Sequence, residues 1–303
     1  MRIRNGAAGF CVTAATAAMA TARFAWPAVM LGWMVSTLVM LALGHCRREP
    51  ISGPKWVVLL LGVLTMTAAV LGAERAFPED STFPFVSLML LLLLWRGMRG
   101  TKRGVESTAA ILGMILLPVL GAVLLFGLGE SAVQWTRPAA ADWKQVWISA
   151  AAASPWWCLE REKRDVRSWL WYGASAGVSL GLSVLTYGAL GNALAQAEAF
   201  PLYRSVQTVR ILGVLQRMEA LVAAALLMGG FGILLLAGET AALGLKRSNK
   251  WKSCGVLAVV FLLEWLFRAL SEQVRQITET VFWGLLPLFV LWVVFLTKNE
   301  KTS

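Results

Sequence analysis

The chain has 303 residues, 58% of them hydrophobic, with a formal net charge of +11 and a mean hydropathy of +0.66. Apolar runs near or above the roughly 18 residues needed to cross a bilayer recur along its whole length, which excludes a soluble globule and leaves a polytopic membrane protein. The excess of Lys and Arg is not a nucleic-acid footprint, because it is sorted loop by loop rather than gathered on one stretch.

Ten apolar segments are predicted, at 5–22, 24–44, 56–73, 81–95, 107–129, 145–159, 168–192, 213–238, 253–270 and 280–297. No soluble domain, long linker or low-complexity tail separates them, so the chain reads as one all-α membrane domain. With the N-terminus inside, 19 of the 28 Lys and Arg fall on one side, including Arg47, Arg48, Arg96, Arg99, Lys102, Arg103, Lys163, Arg164, Lys246 and Lys250. The other nine, among them Arg75, Arg137, Arg204 and Arg217, fall on the opposite side. That asymmetry is the positive-inside signature and predicts that both termini are cytoplasmic. It also argues for the short fourth and sixth segments, since dropping either inverts every later loop. The opening "MRIRNGAAGFCVTAATAAMATA" has an alternative reading as a signal peptide, whose removal leaves nine spans in the same orientation.

Segments one, "GAAGFCVTAATAAMATA", and six, "VWISAAAASPWWC", are rich in small residues and weakly hydrophobic, unlike the Leu/Val-rich spans around them. Segment six also carries Ser149, Ser154 and Pro155. Proline frees a backbone carbonyl, and small residues let a ligand or a neighbouring helix approach the backbone. Two such segments, five helices apart and oppositely oriented, point to a five-plus-five inverted repeat, about 5–129 and 143–298, with a ligand between the two odd helices. The same composition also fits two close-packed Ala-rich helices. Candidate ligand contacts are Thr13, Thr16, Ser149, Ala152, Ser154 and Pro155.

After segment seven, "PLYRSVQTVRILGVLQ" predicts an amphipathic helix on the outer interface. Arg210 and Arg217 share one face there, and Val206, Val209, Ile211 and Leu212 enter the boundary layer. Glu219 follows just inside the apolar run. The helix either gates a vestibule or simply connects two spans. In segment nine, Glu264 and Arg268 are an intramembrane pair at i,i+4, placed to neutralise each other or to serve function. Glu106 opens segment five, to cap the helix, to pair with Arg103 or to hold the helix entrance against segment one.

Tryptophans such as Trp26, Trp56, Trp95, Trp143 and Trp169 sit near segment ends as interfacial anchors. Cys11, Cys46, Cys158 and Cys254 have no metal-site spacing, His45 stands alone, and the "REKRD" run at 161–165 reads as a solvated loop. No phosphate loop, dinucleotide turn, metalloprotease helix or nucleophile elbow appears, so no catalysis and no cofactor are expected.

The stretch "TFPFVSLMLLLLLWRGMRGTKRGVESTAAILGMILLPVL", 82–120, resembles the fourth-to-fifth helix region of the B subunits of spore germinant receptors. It shares their apolar helix, basic loop and Gly-x-Glu, here Gly104, Val105 and Glu106. Phe200-Pro201, "LYRSVQTVRIL" and Arg217-Met218-Glu219 are similar to the same family's eighth-helix entrance. The first segment departs from the family's polar, Gln-containing start and glycine break. The resemblance implies the ten-helix inverted repeat of the amino acid–polyamine–organocation superfamily and a location in the spore inner membrane or the bacterial cell membrane. It also implies germinant-receptor A-type and C-type subunits as partners and a small nutrient, such as an amino acid, as ligand. The alternatives are a secondary amino-acid transporter, disfavoured by the scarcity of carboxylates other than Glu264 at membrane depth, and a non-binding scaffold.

Overall fold

The computed structural model describes residues 2–22, 24–46, 55–75, 85–130, 142–153, 166–198, 201–208, 218–244 and 250–269. Among them there are ten α-helices and no strands. They are α1 (Arg2–Thr21), α2 (Trp26–Cys46), α3 (Lys55–Arg75), α4 (Phe85–Met98), α5 (Lys102–Glu130), α6 (Trp143–Ala152), α7 (Val166–Ala197), α8 (Pro201–Thr208), α9 (Met218–Gly244) and α10 (Lys250–Ala269). Helices α1 to α7, α9 and α10 fall on the first nine expected segments; the tenth, 280–297, lies outside the described residues. Three of them are long and apolar enough to cross a membrane, at Arg103–Gly127, Trp169–Gly191 and Ala220–Ala242. Shorter apolar stretches occur at Trp26–Val39, Phe85–Met98 and Cys254–Phe267. The chain is a helical membrane protein. Large side chains such as Leu38, Met89, Leu125 and Leu262 stay exposed along these helices, as a lipid-facing surface requires.

Local chemistry sets the ends of these helices. Phe24 N–H donates to the Thr21 carbonyl at 2.9 Å, which turns α1 into α2, and Pro27 in the first turn of α2 has no N–H to leave unpaired. Only three residues join α4 to α5. Arg99 and Gly100 donate to the carbonyls of Arg96 and Gly97, and the Thr101 hydroxyl caps the Gly104 N–H at 3.2 Å. The Asp142 carboxylate caps α6 by accepting from Lys144 N–H at 3.1 Å. Helix α7 is broken near its C-terminal end by Gly191, at φ 73° and ψ 167°. Only glycine occupies that region readily, so the chain turns there without strain.

The helices pack in two sets of four. In one, α1 packs on α6 and α7, and α2 packs on the same two helices. In the other, α3 packs on α9 and α10, and α4 does likewise. Helix α1 also lies against α5 and α9, and so joins the sets. Gly62 meets Ala241 and the backbone of α9, where an added Cβ would lie 2.8 Å from the Ala241 nitrogen. Small residues at this crossing bring the α3 and α9 backbones close, the usual way membrane helices associate without a hydrophobic driving force.

Helix α8 corrects part of the interfacial expectation. It lies over α7 and α9, and Val206, with Leu202, is buried in the protein core instead of entering lipid. Arg204 and Gln207 form its exposed face and hydrogen-bond each other at 3.1 Å, with Glu198 3.9 Å from the Arg204 Nε. Val209, Arg210, Ile211, Leu212 and Arg217 lie outside the described residues.

Candidate functional site

Helix α1 is continuous from Arg2 to Thr21, which favours the close-packed of the two readings of its composition. Its small residues serve close approach. Ala7 meets Gly113 of α5, Ala15 meets Gly229 of α9, and Cys11 meets both Gly113 and Gly232. Residues 10–15 are fully buried. Composition was ambiguous between a broken helix and a crowded one, and packing on several helices decided for the crowded one.

Thr13 sits on the face of α1 that meets α7. Its hydroxyl donates to Ser175 Oγ at 2.7 Å, and Ser175 donates in turn to the Trp171 carbonyl at 3.0 Å. The Thr13 oxygen is thus part of the helix–helix contact. Thr16 lies on α1 with its side chain outside the described ones, and Ser154 and Pro155 lie outside the described residues altogether.

Helix α6 contributes Ser149 and Ala152, both fully buried. Ser149 faces Gly32 of α2, where an added Cβ would also lie 2.7 Å from the Val146 carbonyl oxygen. The Ser149 carbonyl accepts from Ala153 N–H at 3.2 Å, but its hydroxyl has no hydrogen-bond partner among the described residues. The same is true of Gln145 Oε1, one turn earlier on α6, and of the Trp33 indole nitrogen, next to Gly32. Trp33 packs edge-on against Tyr172 of α7, centroids 4.9 Å apart, and the Tyr172 hydroxyl donates to Ser36 at 3.1 Å. Phe24, Val29, Ile148 and Ala153 complete this cluster.

The polar face of α7 was not anticipated. Ser179 donates to the Ser175 carbonyl at 2.7 Å, Ser183 to the Phe24 carbonyl at 2.6 Å, and Thr186 is buried with no partner for its hydroxyl among the described residues. The signal was the spacing of four between Ser175, Ser179 and Ser183 in "GASAGVSLGLSVLTY", which average hydropathy conceals. The corner where α1, α2, α6 and α7 meet therefore holds several hydroxyls and an indole N–H in apolar surroundings. Buried polar atoms without partners cost roughly 1–3 kcal/mol each, so Ser149 Oγ and Trp33 Nε1, unpartnered among the described residues, set this corner apart from the apolar core.

The charged candidates lie elsewhere. Glu106 is half-buried in the first turns of α5. Glu219 is in the first turn of α9 with its side chain outside the described ones, as is that of Arg268. Glu264 is fully buried on the face of α10 that carries Val256, Leu257 and Val260, and α10 packs on α3 and α4, away from the α1/α6 contact. A second carboxylate lies just past the expected end of the eighth segment at 238. The span Ala220–Ala242 of α9 includes Glu239, half-buried with one buried oxygen. Among the described residues, no three His, Cys, Asp or Glu side chains come together as metal ligands.

Compared with known proteins, the chain matches no family model and no curated protein.

Proposed function

We propose that this chain is a permease-like membrane protein built as a five-plus-five inverted repeat, with a small-molecule site in the corner between α1, α2, α6 and α7. One observation carries the reading. Let α9 and α10 count as spans eight and nine. The packing pairs one–six, two–seven, three–eight and four–nine each map onto themselves when five is added to both numbers, counting round a cycle of ten. The pair one–seven maps onto two–six, and three–nine onto four–eight; all of these pairs are in contact. Two halves related by a pseudo-two-fold axis give such a pattern; the matching is partial, since the contacts α1–α9, α3–α4 and α1–α3 have no comparable counterpart in α3–α6, α9–α10 and α6–α9. Within this class, the resemblance to germinant-receptor B subunits supports a nutrient sensor that acts with A-type and C-type subunits.

A second reading, a secondary amino-acid transporter, is favoured by two carboxylates within the apolar helices, the buried Glu264 and the half-buried Glu239, in place of the single one expected. Binding and time-dependent uptake of labelled amino acids by the reconstituted protein separate the two. Saturable binding without accumulation supports the sensor; accumulation driven by a proton or sodium gradient supports the transporter. Absence of both leaves the scaffold. The architecture has its own test. Single cysteines replace Thr101 and Asp142 in a cysteine-free background, and an impermeant reagent added to intact cells should label the Asp142→Cys variant at once but the Thr101→Cys variant only after permeabilisation. Equal labelling of the two in intact cells eliminates the inverted repeat.

A further inference from the structure

The basic corner between α4 and α5 does more than orient the chain. Arg96, Arg99 and Arg103 are all exposed within eight positions, and two turn hydrogen bonds fold the three-residue connection so that both helix ends present them together. The Arg99 guanidinium is held over the Trp95 ring, 3.7 Å from its centroid, so part of the cost of ordering it is met before anything binds. Lys102 adds a fourth cation in sequence, and Glu106 is the single acidic residue between 85 and 129. Below the arginines runs an uncovered apolar stripe. Phe85, Met89, Leu92 and Leu93 are 57%, 63%, 51% and 55% exposed, and Arg96 continues the same face of α4 at the next turn. On α5, Ile111 and Met114 are likewise exposed, two to three turns beyond Arg103.

We propose that this corner is a binding site for an anionic phospholipid. The phosphate is held by Arg96, Arg99 and Arg103, Trp95 sits at headgroup level, and an acyl chain lies along the α4 stripe. The stripe selects a lipid over a soluble anion, because guanidinium groups at the polar end of an exposed apolar face match an amphiphile and not a free phosphate. The charge distribution puts the site in the inner leaflet.

The test uses the full chain in phosphatidylcholine nanodiscs with phosphatidylglycerol added, and native mass spectrometry counts the lipids retained. The wild-type protein is expected to retain phosphatidylglycerol in preference to phosphatidylcholine. Each Arg→Gln change at 96, 99 and 103 should weaken that retention by roughly fivefold. The triple Arg→Lys variant should keep most of it, and neutralising Lys144 and Arg204 on the other face should change nothing. If the glutamine variants at 96 and 103 do not insert, Arg99→Gln alone against Arg99→Lys decides the matter. Equal retention by wild type and glutamine variants, an equal loss in the Lys144/Arg204 control, or displacement of the lipid by inorganic phosphate each overturn the proposal.

Discussion

A buried hydroxyl stabilises a helix pair only when it has a partner, and Thr13 and Ser149 differ on that point. Both are fully buried. Thr13→Val removes a 2.7 Å bond across the α1/α7 contact and is expected to cost roughly 1 kcal/mol, recovered in Thr13→Ser. Ser149→Ala removes an oxygen that has no partner among the described residues, so stability should hold or rise while ligand binding falls. Unfolding midpoints in detergent, beside equilibrium binding, measure both effects. A stability loss in Ser149→Ala comparable to that of Thr13→Val would give the hydroxyl a structural role and empty the proposed site. Glycines divide in the same way. A side chain at Gly32 would meet the α6 backbone, so Gly32→Val should cost about 1–3 kcal/mol or more. Gly177, which has nothing within 4 Å of an added Cβ, should gain up to about 1 kcal/mol as alanine. Similar midpoints for the two variants would mean that α2 and α6 are not in contact.

At the scale of whole elements, position along the chain was legible and shape was not. A bilayer demands about 20 apolar residues per helix, so runs such as 107–129 and 168–192 announce themselves. What a small-residue helix does is decided by its neighbours: segment one reads the same whether it breaks around a ligand or slides against Gly113, Gly229 and Gly232. The amphipathic pattern of α8 likewise marked a surface helix, but only its contacts show that α7 and α9, not lipid, cover Val206. The break at Gly191 was hidden inside an apolar run and has an experimental signature of its own. Nothing blocks a Cβ there, so the penalty of Gly191→Ala is conformational alone, of order 1–3 kcal/mol. That penalty should loosen the end of α7 together with α8, seen as faster amide exchange over 192–208 while the body of α7 stays protected. Unchanged exchange would mean that the chain reaches α8 without needing the turn at Gly191.

For the whole molecule, the two four-helix sets matter because the proposed permease-like function requires one to move against the other. Pairing of this kind is not written in any single segment, since an apolar helix does not name its partner; the matching small residues, such as Gly62 with Ala241, become visible only once the helices are assembled. Helix α1 belongs to the set with α2, α6 and α7, yet crosses α9 of the other set at Cys11 and Gly232. An added Cβ at Gly232 lies 3.9 Å from Cys11 Cβ, close to the separation found in disulfides. Gly232→Cys should therefore form a bridge to the native Cys11 under a membrane-permeant oxidant and tie the two sets together. If ligand response involves motion of α1 relative to α9, the oxidised variant still binds ligand but no longer passes the signal or transports, and a reductant restores it. A variant that is fully cross-linked and fully responsive would mean that α1 and α9 move as one body, and that any rearrangement lies within the set of α1, α2, α6 and α7, at the polar corner itself.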